Sequence, residues 1–198
     1  MTAAVAPGFA DAALAGQAHF RDLLEAMARP GRIVRLGGEL PAPPAPLHPA
    51  TYALLLSLAD FETPLWLDPA LRRPSVEGTL RFHAGCPLTT DPASAAFAVA
   101  ADAAALPALE GFAQGTPDYP DRSTTVLLQV AGLGEGEPLR LSGPGIDGGA
   151  GLAVRGVRPG LWAELRQNQA LFPLGVDLVL VAGERLAALP RSTLVEPA

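Results

Sequence analysis

No lysine occurs among the 198 residues; all 14 basic side chains are arginine. The chain therefore cannot form a Schiff base with a carbonyl substrate or with pyridoxal phosphate. Nor can it complete a phosphate-binding loop that ends in Lys-Ser/Thr. Abundant Ala, Gly, Pro and Arg point to GC-rich coding as the origin of this bias. Cys86 is the one cysteine. This rules out an internal disulfide and an iron–sulfur cluster, which needs about four thiolates. No apolar run approaches the roughly 20 residues that span a bilayer. The stretch from Met1 to Gly8 lacks the basic segment and apolar core of a signal peptide. A soluble, cytoplasmic protein is expected. Basic excess is also missing: the formal charge is −6. Free nucleic acid is therefore not an expected partner, since phosphates need a basic face. A local group of arginines still suits a small anion.

What is present is a globular composition, 49% hydrophobic and 17% charged. The length suits one α/β domain over 1–198. Residues 1–8 read as flexible and 41–49 as a proline-rich surface connection. The spacing of Phe20, Leu23, Leu24 and Met27 predicts an amphipathic helix from Asp11 to Ala28. Asp11 is its N-cap, and Pro30-Gly31 ends it. A short strand follows at Arg32 to Leu36. Pro49 opens a helix to Asp60 that is apolar nearly all round. Pro64 to Asp68 reads as a strand. Ser75 caps a helix to Ala84, which Gly85 ends. Ala95 to Ala100 is a strand, and Ala101 to Phe112 is weakly helical.

Thr124 to Val130 is β-branched and apolar, as in a central strand covered on both faces. Gly132 to Pro138 reads as a turn, with Leu139 to Ser142 as the hairpin partner. A glycine-rich loop spans Gly143 to Gly151. Leu161 to Gln169 is a helix. Val176 to Val181 pairs with Arg185 to Pro190 through a tight Gly183-Glu184 turn. The fold expected is a three-layer αβα sandwich with a mixed sheet.

Candidate chemistry is sparse. His83 and Cys86 lie three apart, a spacing that suits a thiolate pair or two metal ligands, although a packed Cys beside a helix-end His is the plainer reading. Arg81, next to Phe82 and His83, suits a phosphate or carboxylate contact; a surface salt bridge is the alternative. Asp60 and Glu62 form a carboxylate pair at a helix–strand junction, where turn duties are the simpler role. Asp177 breaks an apolar strand and needs a partner, either Arg185, Arg191 or backbone N–H groups. The glycines from Gly143 to Gly151 suit a phosphate nest or a flexible loop. GLGEGE at Gly132 opens no helix, so it fails as a nucleotide fingerprint. There is no GxSxG elbow and no HExxH pair. Arg81, His83, Asp60, Asp177 and Arg191 are the candidates for ligand or partner contact; no catalytic residue, metal or cofactor is assigned.

Several runs together carry a family likeness: FRDLLEAMARPG from Phe20, LADFETPLWL from Leu58 and TLRFHAGCPL from Thr79, then TTVLLQV from Thr124, LRLSGPGI from Leu139 and FPLGVDLVLVAGERLAALPRST from Phe172. In this order the chain resembles the H subunit of the bacterial carbon–phosphorus lyase complex. The resemblance implies phosphonate breakdown, and a homodimer that assembles with the G, I and J subunits, the K and L subunits being further candidates. It implies a share in a synthase in which a phosphonate displaces adenine from ATP, giving alpha-D-ribose 1-methylphosphonate 5-triphosphate. In that family the J subunit carries the iron–sulfur chemistry. The implied fold is similar to the large domain of pyridoxal-phosphate-dependent transferases, without the cofactor. The role implied is architectural. The alternative is a protein that binds or acts on a nucleoside phosphate or phosphonate by itself.

Overall fold

The computed structural model describes residues 5–198. Helix α1 (Ala12–Ala28) starts where the Asp11 carboxylate accepts the amides of Ala13 and Leu14 at 3.1 and 3.0 Å, satisfying N–H groups that a helix start leaves free. Strand β1 (Val34–Arg35) follows, then α2 (Pro49–Leu58), β2 (Leu65–Leu67), α3 (Pro74–His83), β3 (Leu88–Thr89), β4 (Phe97–Ala100), β5 (Thr125–Gln129), β6 (Gly132–Ser142), β7 (Ala150–Arg155), α4 (Leu161–Ala170), β8 (Asp177–Ala182), β9 (Arg185–Leu189) and β10 (Leu194–Pro197). Helix α3 begins at Pro74, one residue before the expected Ser75 cap, and its N-cap Arg73 makes no side-chain capping bond. The alanine-rich 101–112 stretch holds two single turns of 3₁₀-helix and no longer helix; Pro107 denies a continuing helix its amide donor.

Seven strands form one mixed sheet in the order β1-β9-β8-β5-β4-β2-β3. The run from β8 to β3 is parallel, and β9 and β1 add antiparallel. Side chains alternate between its faces, as the strand period requires. Val126, Leu128, Leu178 and Leu180 point one way. Leu127, Val179 and Val181 point the other way, against α1, α2 and α3.

The expected layer of helices on the first of these faces is only partly helical. Helix α4 lies there beside a second, three-stranded antiparallel sheet, β10-β6-β7, and Leu139, Leu141, Leu152, Val154, Leu161 and Val195 close the core between the layers. Two expectations fall with this. Gly132 to Pro138 is not a turn, and Leu139 to Ser142 does not pair with β5. Both belong to the single strand β6, which pairs with β7 and β10. The glycines that read as a turn make a bulge inside the strand: Leu133 and Glu137 both face Val154, and Gly134 and Gly136 hold φ of 85° and 103°. The Gly143–Gly151 stretch is a loop only to Gly149, since β7 begins at Ala150.

Helix α1 turns only part of the expected face inward: Leu23 is buried and Met27 packs against the core. Ala15, His19, Leu23 and Ala26 are buried, whereas Phe20 and Leu24 are half exposed, at 47% and 50%. Small residues let α1 approach α2 and β9 closely, which excludes the larger side chains from that contact. The proline-rich connection is likewise no free surface strand. Pro41, Pro44 and Leu47 are buried. Of the stretch expected to be flexible, residues 1–4 lie outside the described chain. Residues 5–8 are tied down: Ala6 bonds Thr79 and His83, and Pro7 accepts from Tyr52.

Candidate functional site

Open parallel sheets ordinarily receive ligands beyond the carboxyl ends of their strands, where successive connections leave in opposite directions. Here that point lies between β2 and β4, because the chain steps from β2 outward to β3 and then back across to β4. Asp68 follows β2 at this crevice and is fully buried. Its carboxylate accepts the amides of Leu71 at 2.9 Å, Ala101 at 2.6 Å and Asp102 at 3.4 Å. A buried carboxylate needs such donors, and these tie the end of β2 to the end of β4. The place where a ligand would sit is filled by the protein's own anion. Asp68 was not among the predicted contact residues; its one signal in the sequence is a lone carboxylate at the end of an apolar strand.

The neighbouring strand end is closed in the same way. Gln129, buried at the end of β5, accepts the His48 amide at 2.6 Å and donates to the Pro46 carbonyl at 3.1 Å. His48 Nδ1 accepts the Gly183 amide at 3.2 Å, which fixes the proton on the other ring nitrogen while the ring is neutral. Burial holds His48 below its ordinary value. Together these bonds pin the proline-rich connection over β5 and β8.

The predicted contact residues separate into two groups. Arg81 projects from α3 beside the outer edge of the sheet. It lines a cleft of about 140 Å³ with Arg72, Glu77, Thr89 and Thr90. Arg72 is committed to main-chain carbonyls, Leu67 at 2.9 Å and Thr89 at 3.4 Å. Arg81 is exposed and only 3.8 Å from Glu77, a surface pair of little energetic worth. His83 is not in this cleft; its Nε2 meets the Ala6 carbonyl at 2.8 Å. Cys86 is buried, and burial pushes its thiol up, which removes the thiolate that a Cys–His pair would need. Asp60 performs turn duties, accepting the Glu62 amide at 2.9 Å. Among the described residues no group of three or more His, Cys, Asp or Glu is placed to hold a metal.

Asp177 and Arg191 lie at the opposite side of the sheet. Four strand spacings separate β8 from β3, roughly 19 Å at about 4.8 Å each. Their side chains are 13% and 14% exposed and meet at 2.5 Å. The Arg191 amide adds a bond to Asp177 at 2.8 Å, and Nη1 donates to the Pro120 carbonyl at 2.6 Å. Nη2 also bonds Ser123. The pair joins the β9–β10 connection to the loop before β5.

One more groove, about 310 Å³ and lined mainly by apolar surface, runs between residues 108–114 and α4. Glu110 and Glu164 line it; Glu164 bonds Arg158 and accepts the Leu109 amide at 3.1 Å. The bond from Arg158 holds Glu164 below the usual range. Asn168 is engaged on both sides by the Val176 main chain, at 2.8 and 2.9 Å. Glu164 is thus a structural anion at neutral pH, unsuited to give up or take a proton.

The family described as "Bacterial phosphonate metabolism protein (PhnH)" matches residues 7–196. The chain belongs to this family. It is 44% identical over 189 residues to the "Alpha-D-ribose 1-methylphosphonate 5-triphosphate synthase subunit PhnH" of Rhizobium meliloti (strain 1021), covering 95% of this chain and 94% of that one. It is 36% identical over 178 residues to the "Putative C-P lyase subunit protein HtxG" of Stutzerimonas stutzeri, covering 89% and 84%. The match to the family spans both layers that flank the seven-stranded sheet, along with Asp68, Gln129 and the Asp177–Arg191 pair. No helix among the described residues is long and apolar enough to cross a membrane.

Proposed function

We propose that this chain is a subunit of a carbon–phosphorus lyase assembly, and that it serves the synthase step in which a phosphonate displaces adenine from ATP to give alpha-D-ribose 1-methylphosphonate 5-triphosphate. The observation that carries this is the 44% identity to a named synthase subunit over nearly the full length of both chains. We read its contribution as architectural. Asp68, Gln129, Glu164, Asp177 and Arg191 each bind the protein's own main chain, and none is left over as an acid, base or nucleophile. In this reading the protein is a cytoplasmic homodimer forming one domain. It docks with the G, I and J subunits, the K and L subunits joining the larger assembly. Kinship with the large domain of pyridoxal-phosphate-dependent transferases is part of the same proposal. The mixed sheet with a parallel centre supports it, and a chain without lysine would keep such a fold without its Schiff base.

Affinity capture of the tagged protein from phosphate-starved cells tests the reading. The G, I and J subunits are expected in fixed proportion, and deletion of the gene should abolish growth on methylphosphonate but not on phosphate. Normal growth on methylphosphonate without it would overturn the proposal. The cleft of Arg72 and Arg81 supports a second reading, a binder of small anions acting alone. At about 140 Å³ it suits a phosphonate rather than a nucleoside phosphate, because pockets for larger ligands run to roughly 300 Å³ or more. Calorimetric titration of the isolated protein with methylphosphonate and with ATP separates the two. Micromolar binding of the phosphonate, lost in Arg81→Ala, would favour the binder.

A further inference from the structure

Tyr119, Leu171 and Phe172 are large apolar side chains that stand 51%, 49% and 59% exposed. Their loops lead into β5 and β8, so they sit at the amino ends of two neighbouring parallel strands. One arginine holds the loops together. Arg191 Nη1 donates to the carbonyls of Pro120 and Pro173, at 2.6 and 3.5 Å, the residues that follow Tyr119 and Phe172. The Gly175 amide adds a bond to the Gln114 carbonyl at 2.9 Å. Tyr119 is fixed further: its amide and carbonyl bond the Thr116 main chain at 3.0 and 3.1 Å, and the Arg122 guanidinium lies 4.1 Å from its ring centre. Apolar side chains held outward by internal bonds lose little freedom when something covers them, which favours binding. The 310 Å³ groove opens beside them, with Leu171 in its wall together with Leu109, Gln114 and Gln167. The border of this patch is acidic. Asp118 and Asp121 flank Tyr119-Pro120, Glu110 lines the groove, and all three are exposed. None of them enters an ion pair among the described residues. Arg122 is laid on Tyr119, and Arg166 of α4 does not line the groove.

We propose that Tyr119, Leu171, Phe172 and the adjoining groove form the face by which this chain docks onto a different protein subunit, and that the docked segment carries an apolar anchor flanked by Lys or Arg. The proposal rests on the assembly reading for the existence of such a subunit, and on the patch for its chemistry. Charge decides the kind of occupant. A second copy of the chain would set Glu110, Asp118 and Asp121 against acids of its own, which like-charge repulsion disfavours. Nucleic acid and an anionic lipid surface are repelled for the same reason. A basic, apolar segment satisfies both parts of the patch. Its anchor fills the groove, where exclusion of water concentrates the binding energy. Its cations meet the acidic border, which speeds association and selects the partner. The placement suits the rest of the fold. The carboxyl ends of β2 and β5 are tied shut by Asp68 and Gln129, and the amino ends of β5 and β8 carry the apolar surface. The enclosed Asp177–Arg191 pair then has a role beyond stability, since Arg191 holds both loops of the docking face in place.

The test titrates the purified full chain against the G, I and J subunits co-purified from cells that lack its gene, followed by biolayer interferometry. Tyr119→Ser combined with Leu171→Ser should weaken binding at least about tenfold. Both positions are exposed, so the urea midpoint should stay where it is and exclude unfolding as the cause. Leu14→Ser, on the exposed side of α1 at 66%, should leave binding unchanged. Asp118→Asn combined with Asp121→Asn should slow association about fivefold or more at low salt and flatten its salt dependence. Tight binding by the Tyr119/Leu171 double variant would overturn the docking face and leave the assembly reading standing. No binding by wild type would overturn both. Binding indifferent to salt and to the aspartate substitutions would overturn the basic partner. Sedimentation in which the double variant loses a dimer that wild type forms, with subunit binding intact, would show a second copy on this face and overturn the proposal as well.

Discussion

Arg191 uses its backbone amide and its guanidinium nitrogens inside the chain, and Asp177 receives most of them. Removing one partner of so enclosed a pair leaves the other as an uncompensated charge. Arg191→Met, which keeps the aliphatic bulk, should cost about 3 kcal/mol, read as a shift of the urea midpoint at constant slope. Asp177→Asn in the same chain should recover part of that loss, and full additivity of the two would show that the pair is not coupled. His19 behaves differently. It is fully buried, and its Nε2 makes no hydrogen bond. Burial holds it below 6.5, while Gly37, Asp22 and Glu39 pull the other way. The unfolded chain therefore binds the proton better. Stability is complete above pH 6.5 and falls as the pH drops through that value toward the lower folded one. His48 adds a change of the same sign. Urea titrations at pH 7.5 and 5.5 should show the loss in wild type and a smaller one in His19→Gln; an equal loss would assign the effect elsewhere.

At the scale of elements, the β6 bulge is the feature that local patterns misread. Gly132 to Pro138 has the composition of a turn, and Gly134 and Gly136 do adopt turn-like positive φ. The chain passes through them without reversing, because β7 is available to pair on both sides of the irregularity. Gly136 is the position closed in by backbone: φ is 103° and an added Cβ would stand 2.4 Å from the Val154 carbonyl. Gly136→Ala should cost about 2–3 kcal/mol. Gly148→Ala, at φ 71° with open space around it, should cost about 1 kcal/mol for backbone strain alone. Equal losses in thermal melts would mean that the contact with β7 does not matter. Helix α1 was legible as a helix, and its Asp11 cap with it. Its inward face was legible only in part: Leu23 and Met27 do face the core, but Phe20 and Leu24 satisfy the periodicity as well as Ala15 and Ala26 do. The spacing of apolar residues marks a face; which face packs depends on how closely α2 and β9 approach.

For the whole molecule, Asp68 decides the most. It closes the crevice between β2 and β4 that the order of the strands creates. Asp68→Ala would leave the Ala101 amide without its acceptor and remove the side-chain bond to Leu71, and should cost about 2–4 kcal/mol, seen in urea unfolding. Asp68→Asn keeps an acceptor and should lose less. If Asp68→Ala melts like wild type, the carboxylate does not tie the strand ends. The Arg81 and Asp177 regions, candidates on equal terms in the sequence, belong to opposite sides of the same sheet. No single site unites them, for a reason of topology: β8 and β3 are separated by three intervening strands.

The sequence by itself determined the composition-level exclusions, from Schiff-base chemistry to iron–sulfur ligation, because these depend only on which side chains exist. It determined the buried strands at 65–67, 125–129 and 177–182 and the β8–β9 hairpin, because apolar runs and a two-residue turn act over a few neighbouring residues. The family could also be read there, in runs spread along the chain. Only the tertiary structure decided that β6 leaves the main sheet for a second one, which side of α1 meets the core, and that Asp68 and Gln129 seal the strand ends. Those outcomes depend on contacts between segments far apart in the chain, and local periodicity carries no information about which distant partner a face or a carboxylate will meet.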